Sequence, residues 1–379
     1  MARILVLGGG FGGIAAALGL RQRLAPRDEI ILIDEGSTFR MGLGNLWLLD
    51  GRRKIGDGQR PLAALQAKGI QVKQGRIQAI DAAQRTVTFD GVTLQADGLI
   101  IALGAQLAPD ATPGFAAVHN LYEEAGAAAF GKALEGFRGG RVLVQMCGLP
   151  FKCPPAPYEA AMLAADVLRK RGVKAEIHLA TPEPHPLPVA PPEVGNRLLP
   201  LLEAAGVQYH PGCKPTRFAS DVVEWENGKS LNFDLAAGVP VHKAPAVIGA
   251  DLAGPSGFIP VDPASLRTKF PGVYAVGDVA AVPLPNGKVA PKAGVLAESQ
   301  GRAAASHLAT ELLGTGTATA FDGQGTCFIE LGHGQAIPAE GEFFATPQPR
   351  FTFRQASAQG LRDKERFEAD RLNAWFGSS

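Results

Sequence analysis

Cysteine is scarce in this chain of 379 residues: there are four, Cys147, Cys153, Cys213 and Cys327. That is too few for a disulfide scaffold. The spacing Cys147-x5-Cys153 is not a zinc pattern, and no His or Cys pair completes a tetrahedron, so no metal site is expected. A charge excess is missing too. Thirty-seven basic residues face 36 acidic ones, for a net charge of +1. Such a balance has nothing with which to neutralise a phosphate backbone, and nucleic acid is excluded as a partner. No apolar run approaches the roughly 20 residues of a membrane span. The opening "MARILVLGGG" runs directly into a strand, with no charged, apolar and small-residue export pattern. A cytoplasmic protein is expected, with peripheral attachment at the inner membrane left open.

Glycine is what the chain has at its start. In "RILVLGGGFGGIAAALGLRQRLAPRDEIILIDEG", residues 3–7 form an apolar strand and Gly8-x-Gly10-x-x-Gly13 opens a helix over about 13–24. A second strand then ends at Asp34. Glycine allows a tight turn at 8, backbone approach to a pyrophosphate at 10, and helix-on-strand packing at 13. The helix N-terminus faces the diphosphate, and Asp34 is placed for a ribose hydroxyl. A dinucleotide site follows from the complete βαβ context.

A second βα unit is built differently. The strand "RVLVQ" (141–145) and the helix "AAMLAADVLRKRG" flank "MCGLPFKCPPAPYE" (146–159), where only Gly148 remains of a glycine loop. Pro154, Pro155 and Pro157 have no N–H for a phosphate and fix φ near −65°. NAD(P)H is therefore not the expected main substrate. Cys153 lies near a helix N-terminus, where the dipole lowers a thiol pKa. Glu159, on the first turn, is a candidate proton acceptor. Cys327, in "FDGQGTCFIELGHGQA" (321–336), follows a glycine turn; Cys147 and Cys213 read as structural.

Three later stretches resemble flavoproteins with two dinucleotide-binding domains. They are "ADGLIIALGAQ" (96–106) with Gly104, "LRTKFPGVYAVGDVA" (266–280) with Gly277 and Asp278, and "PKAGVLAESQGRAAASHLATELL" (291–313) with Lys292. The resemblance implies FAD, with Asp278 on the ribityl chain and Lys292 beside the pyrimidine ring, where it would stabilise reduced flavin; a solvated Lys292 is the plain alternative. The fold expected is α/β, with two Rossmann-like domains. These are a FAD-binding domain over 1–105 and 236–320, a degenerate NAD-type domain over 106–235, and a C-terminal cap over 321–379.

"KCPPAPYE", "PKAGVLAESQGR" and "GTCFIEL" together resemble the sulfide-oxidising flavoproteins, that is, sulfide:quinone oxidoreductases and the flavoprotein subunit of flavocytochrome c sulfide dehydrogenase. The resemblance implies that Cys153 and Cys327 form a redox-active pair beside the isoalloxazine and relay electrons from sulfide to a quinone or a cytochrome c. Met41 stands where some relatives attach FAD through cysteine, so noncovalent FAD is implied. A third cysteine of many quinone-linked members has no counterpart here. His185, in "TPEPHPLP", is a candidate proton carrier or an exposed loop residue, and His333 has the same standing. The tail "LRDKERFEADRLNAWFGSS" places Leu361, Leu372, Trp375 and Phe376 on one helical face, suited to a membrane surface or to its own domain. Homo-oligomer formation is left open. The competing functions are a type II NADH:quinone oxidoreductase, a subunit active only with a cytochrome partner, and a flavoprotein fold kept for sensing.

Overall fold

The computed structural model describes residues 1–377. Its first sheet has five parallel strands, in the spatial order Val273–Ala275, Gly98–Ile101, Arg3–Leu7, Glu29–Asp34 and Gln71–Gln74. The three central strands are apolar nearly throughout and buried on both faces, as a parallel sheet covered by helices requires. One covering helix, Phe11–Arg23, lies against the long helix Gly294–Leu313. Small residues let them touch: a Cβ at Gly301 would sit 2.2 Å from the Gly12 carbonyl oxygen.

A second parallel sheet follows the order His119–Asn120, Leu235–Val239, Gly140–Met146, Ala175–Ala180, Val207–His210. The strand expected at "RVLVQ" is its central member. The expected boundary at residue 236 needs correction. Leu235–Val239 pairs with Gly140–Met146 in the second sheet, so the chain returns to the first lobe only after it. The two crossing segments, Gln106–Ala108 and Val241–Lys243, pair antiparallel with each other.

The C-terminal part is a three-stranded antiparallel sheet (Gln324–Gly332, Gln335–Glu342, Arg350–Phe353) followed by the helix Ala358–Phe376. Ser357 caps that helix, accepting a hydrogen bond from the Gly360 N–H, the standard way to satisfy an orphan first-turn donor. The helix packs its apolar face inward. Leu372 and Trp375 are buried, and Trp375 meets Phe11 and Phe39 edge-to-face at ring-centroid distances of 5.4 Å each. Of the two readings of this face, the structure selects packing on the first domain. Among the described residues, no helix is long and apolar enough to cross a membrane.

Candidate active site

The glycine turn is shaped by its own backbone. Gly8 has φ of +103°, and a Cβ there would lie 2.3 Å from the Ala102 carbonyl oxygen; a Cβ on Gly13 would lie 1.8 Å from that of Gly8. Neither position tolerates a side chain, and both shape the turn from behind. A Cβ at Gly10, by contrast, would meet nothing within 4 Å. That open space belongs to a cavity of about 520 Å³, lined along its length by Gly10, Asp34, Gly104, Gly277, Asp278, Lys292, Cys153, Glu159 and Cys327. These nine residues, all singled out in the sequence, share this one space.

Asp34 accepts hydrogen bonds from the Gly9 N–H (2.6 Å) and the Gly36 N–H (2.7 Å), so it sets the turn while facing the cavity. Two helix N-termini also open there. Neither Gly10, ahead of Phe11–Arg23, nor Ala293, ahead of Gly294–Leu313, makes a side-chain cap, which leaves unpaired N–H donors for an anionic ligand. An elongated space, a clear glycine approach and two donor-rich ends fit FAD. Gly9–Gly12 and Asp34 would hold the adenosine-diphosphate end, and Gly277–Asp278 and Lys292 would face the ring. Met41 is fully buried and does not line the cavity.

Lys292 is buried, not solvated. Its Nζ donates to the Asp278 carbonyl oxygen and lies 3.4 Å from the centroid of the Phe258 ring. Burial pulls its pKa down to about 8 against the opposing pull of Asp278. Burial raises the Asp278 carboxyl in turn, with Lys292 and Lys152 opposing.

Cys153 is held in a left-handed backbone conformation, φ +52°, one that L-residues adopt only under constraint. The constraint is visible. Its N–H donates to the Lys292 carbonyl at 2.7 Å, and its own carbonyl accepts from the Ala156 N–H (2.9 Å) and the Tyr122 hydroxyl (3.3 Å). The stiff proline turn thus presents the thiol to the cavity at the start of the helix Ala156–Lys170. Cys327 reaches the same cavity from the antiparallel sheet. Both cysteines are free thiols.

The expected low thiol pKa is not found. Burial, then Glu159, then Cys327 push Cys153 well above the ordinary thiol range. Burial and Glu159 bring Cys327 to about 11. The helix end is outweighed because the pocket strips water from the thiol and adds a carboxylate beside it. Glu159 itself is buried, and its Oε1 accepts from the Glu330 N–H and from Lys364 Nζ, each at 2.6 Å. One carboxylate thereby ties the Cys153 helix to the Cys327 strand. Its Oε2 takes no hydrogen bond from the described residues and remains available for a proton.

Lys364 and Glu330 were missed in the sequence. Lys364, on the terminal helix, bridges Glu159 and Glu330 (3.1 Å) and is itself buried; the two carboxylates hold it charged against the cost of burial. Glu330 also pairs with Arg52 and accepts from the Trp47 indole N–H at 3.2 Å. The only sequence hint was a charged residue on a helix face otherwise given over to packing.

His185 is not brought to the site. It lines neither this cavity nor its neighbour, and its Nδ1 lies 3.2 Å from the Pro186 carbonyl oxygen. His333 is likewise remote, an exposed turn residue beside Asp166 and Arg169. Cys147 and Cys213 are buried among apolar side chains, in keeping with structural roles.

A second cavity of about 340 Å³ adjoins the first, and the two share Pro154, Pro155, Lys292 and Cys327 as walls. Its lining is apolar, with Leu149, Phe151, Leu187, Phe343, Phe351 and Phe353 prominent. Leu149 and Val289 in this lining are 49% and 46% exposed, which places apolar side chains at the opening.

Two parallel-sheet domains and a glycine-turn cradle whose cavity is also lined by two cysteines define a two-domain flavoprotein oxidoreductase. The sequence profile of the pyridine nucleotide-disulphide oxidoreductases matches residues 2–138 and 158–301. The chain belongs to that family and is an FAD-dependent oxidoreductase. Among its relatives, mitochondrial sulfide:quinone oxidoreductase of Mus musculus is 23% identical over 93% of this chain and 81% of its own length. Sulfide-quinone reductase of Aquifex aeolicus is 26% identical, over 91% and 83%. The crystal structure of the sulfide:quinone oxidoreductase from Aquifex aeolicus superposes with a TM-score of 0.88 at 23% identity, covering 100% of this chain and 92% of that one.

Proposed function

We propose that this protein oxidises sulfide through Cys153 and Cys327 and passes the electrons to a quinone. The observation that carries the reading is that two thiols, 174 residues apart in sequence, line one cavity. The relatives named above, sulfide:quinone oxidoreductases, support it.

In the oxidised enzyme the two sulfurs share a disulfide. Hydrosulfide attacks one sulfur, the S–S bond breaks, and the other cysteine leaves as a thiolate. Glu159 Oε2 takes the proton of the incoming hydrosulfide. The buried site disfavours free thiolate on either cysteine, so the leaving sulfur is driven to give up its charge. Bound FAD supplies a two-electron acceptor next to it. Below about pH 8 Lys292 places a cation, and with it a proton donor, in the cavity; above that pH the neutral amine offers neither. A second hydrosulfide, or a small thiol, attacks the outer sulfur of the persulfide and carries it away as polysulfide; the cysteine thiolate released then re-forms the S–S bond with its partner, and the electron pair given up in that oxidation would pass to the bound flavin.

The second cavity suits the acceptor. It is apolar, it abuts Lys292 and Cys327, and its opening carries Leu149 and Val289 toward a surface from which a lipid-dissolved quinone can enter. Peripheral contact with a membrane at this opening takes the place of the terminal helix considered earlier. The second βα turn, with prolines where phosphate donors would be needed, argues against NAD(P)H as the electron source.

Anaerobic spectroscopy tests the reading. Sulfide should bleach the flavin and NADH should not, and decylubiquinone should restore the colour faster than cytochrome c. Bleaching by NADH alone would overturn it.

A further inference from the structure

The apolar cavity has few polar walls: Glu183, Ser256, Lys292 and Cys327. Glu183 stands out because it is 2% exposed and has no basic partner among the described residues. Its Oε2 accepts from the Tyr158 hydroxyl and from Thr181 Oγ1 (3.2 Å), while its N–H donates to the same Thr181 oxygen at 3.0 Å. Its Oε1 takes no hydrogen bond from the described residues. With Oε2 already accepting twice, the proton of the neutral carboxyl belongs on Oε1.

The surroundings favour that neutral form. Apart from Ser256, and Lys292 and Cys327 on the shared wall, the cavity that Glu183 faces is hydrocarbon, and a carboxylate there is poorly solvated. Burial brings the Glu183 pKa up to about 7, with Tyr158 and Thr181 opposing. Behind Glu183, the Tyr158 ring lies 6.2 Å from that of Tyr209, whose buried hydroxyl has no partner among the described residues. Tyr158 and Tyr209 are neutral at every pH of interest, since burial raises both.

We propose that Glu183 is the acid that protonates a quinone carbonyl oxygen in this cavity. The inference rests on the quinone reading above. Conversion of quinone to quinol takes two electrons and two protons. The electron pair and one proton come from the reduced flavin; the O–H bond of Glu183 breaks to supply the other. The carboxylate left behind is held by the Tyr158 and Thr181 hydroxyls until water reprotonates it.

The test uses the holoenzyme, reduced anaerobically with sulfide and then mixed rapidly with decylubiquinone or ferricyanide. Ferricyanide takes electrons and no proton. In the wild type, reoxidation by the quinone should slow as pH rises through about 7, because Glu183 loses its proton there. In Glu183→Gln it should be slower on the order of 10²-fold at pH 6 and flat with pH, while ferricyanide reoxidises both proteins alike. Infrared titration gives a second readout: a protonated-carboxyl band that disappears near pH 7 in the wild type and is missing from Glu183→Gln. The proposal is overturned if Glu183→Gln matches the wild type with quinone at every pH, if ferricyanide slows equally, or if the band is unchanged by the substitution. Failure of the wild type to react with any quinone would instead sink the acceptor reading, and the proposal with it.

Discussion

The two parallel domains begin with the same unit, strand–turn–helix, and use it in opposite ways. In the first, Gly8 and Gly13 pull the turn tight, Gly10 leaves clear space, and the helix N-terminus stays uncapped. In the second, Pro154 and Pro155 stand in place of glycines, and the turn is tied by the Cys153 N–H to the Lys292 carbonyl and by the Tyr122 hydroxyl to the Lys152 and Cys153 carbonyls. One turn is emptied so that a ligand's phosphates can enter. The other is filled so that a sulfur atom cannot move away. The comparison shows that a βα turn is a positioning device, and that its side chains decide whether it positions a ligand or a reactive group.

The sharpest way to break the comparison is Cys153→Ser. Sulfide-driven bleaching should fall by at least about 10³-fold with FAD still bound, measured by stopped-flow absorbance; bleaching at the normal rate would remove the second turn's function. The counterpart in the first turn is Gly13→Ala. Its Cβ would overlap the Gly8 carbonyl, so the protein should purify without yellow colour or with a flavin affinity lowered at least about 100-fold, read by fluorescence titration.

Next comes the clamp between the domains' cysteines. Lys364→Met leaves Glu159 and Glu330 buried without their shared cation and should cost about 3–5 kcal/mol in denaturant unfolding. A loss under about 1 kcal/mol would mean that water reaches the carboxylates. A smaller effect is expected at the apolar opening. The pair Leu149→Glu and Val289→Glu should weaken co-sedimentation with lipid vesicles several-fold while leaving bleaching by sulfide intact. Smallest of all, Cys147→Ala should cost about 1 kcal/mol of stability and leave sulfide turnover unchanged, since its thiol packs in the second domain's core.

Much of the first lobe was legible because its signals are local. The strand at residues 3–7, the glycine spacing and Asp34 lie within one βαβ unit, where chain geometry alone brings them together. The proline turn was legible for the same reason. The reading failed where a property depends on surroundings. A low Cys153 pKa was inferred from the helix end, yet burial and Glu159 reverse it. His185 was expected at the site from its loop and lies outside it. The strand Leu235–Val239 was assigned to the wrong lobe because a short apolar run carries no mark of the sheet it joins.

The residues by themselves determined the FAD cradle, the stiff cysteine turn and the parallel architecture, since each follows from backbone freedom or its denial over a few adjacent positions. Only the tertiary structure decided that Cys327 lines the same cavity as Cys153, that Lys364 joins Glu159 to Glu330, and that Glu183 opens on an apolar chamber. Those are encounters between segments tens to hundreds of residues apart, and their energetics depend on how much water the folded chain excludes around each charge.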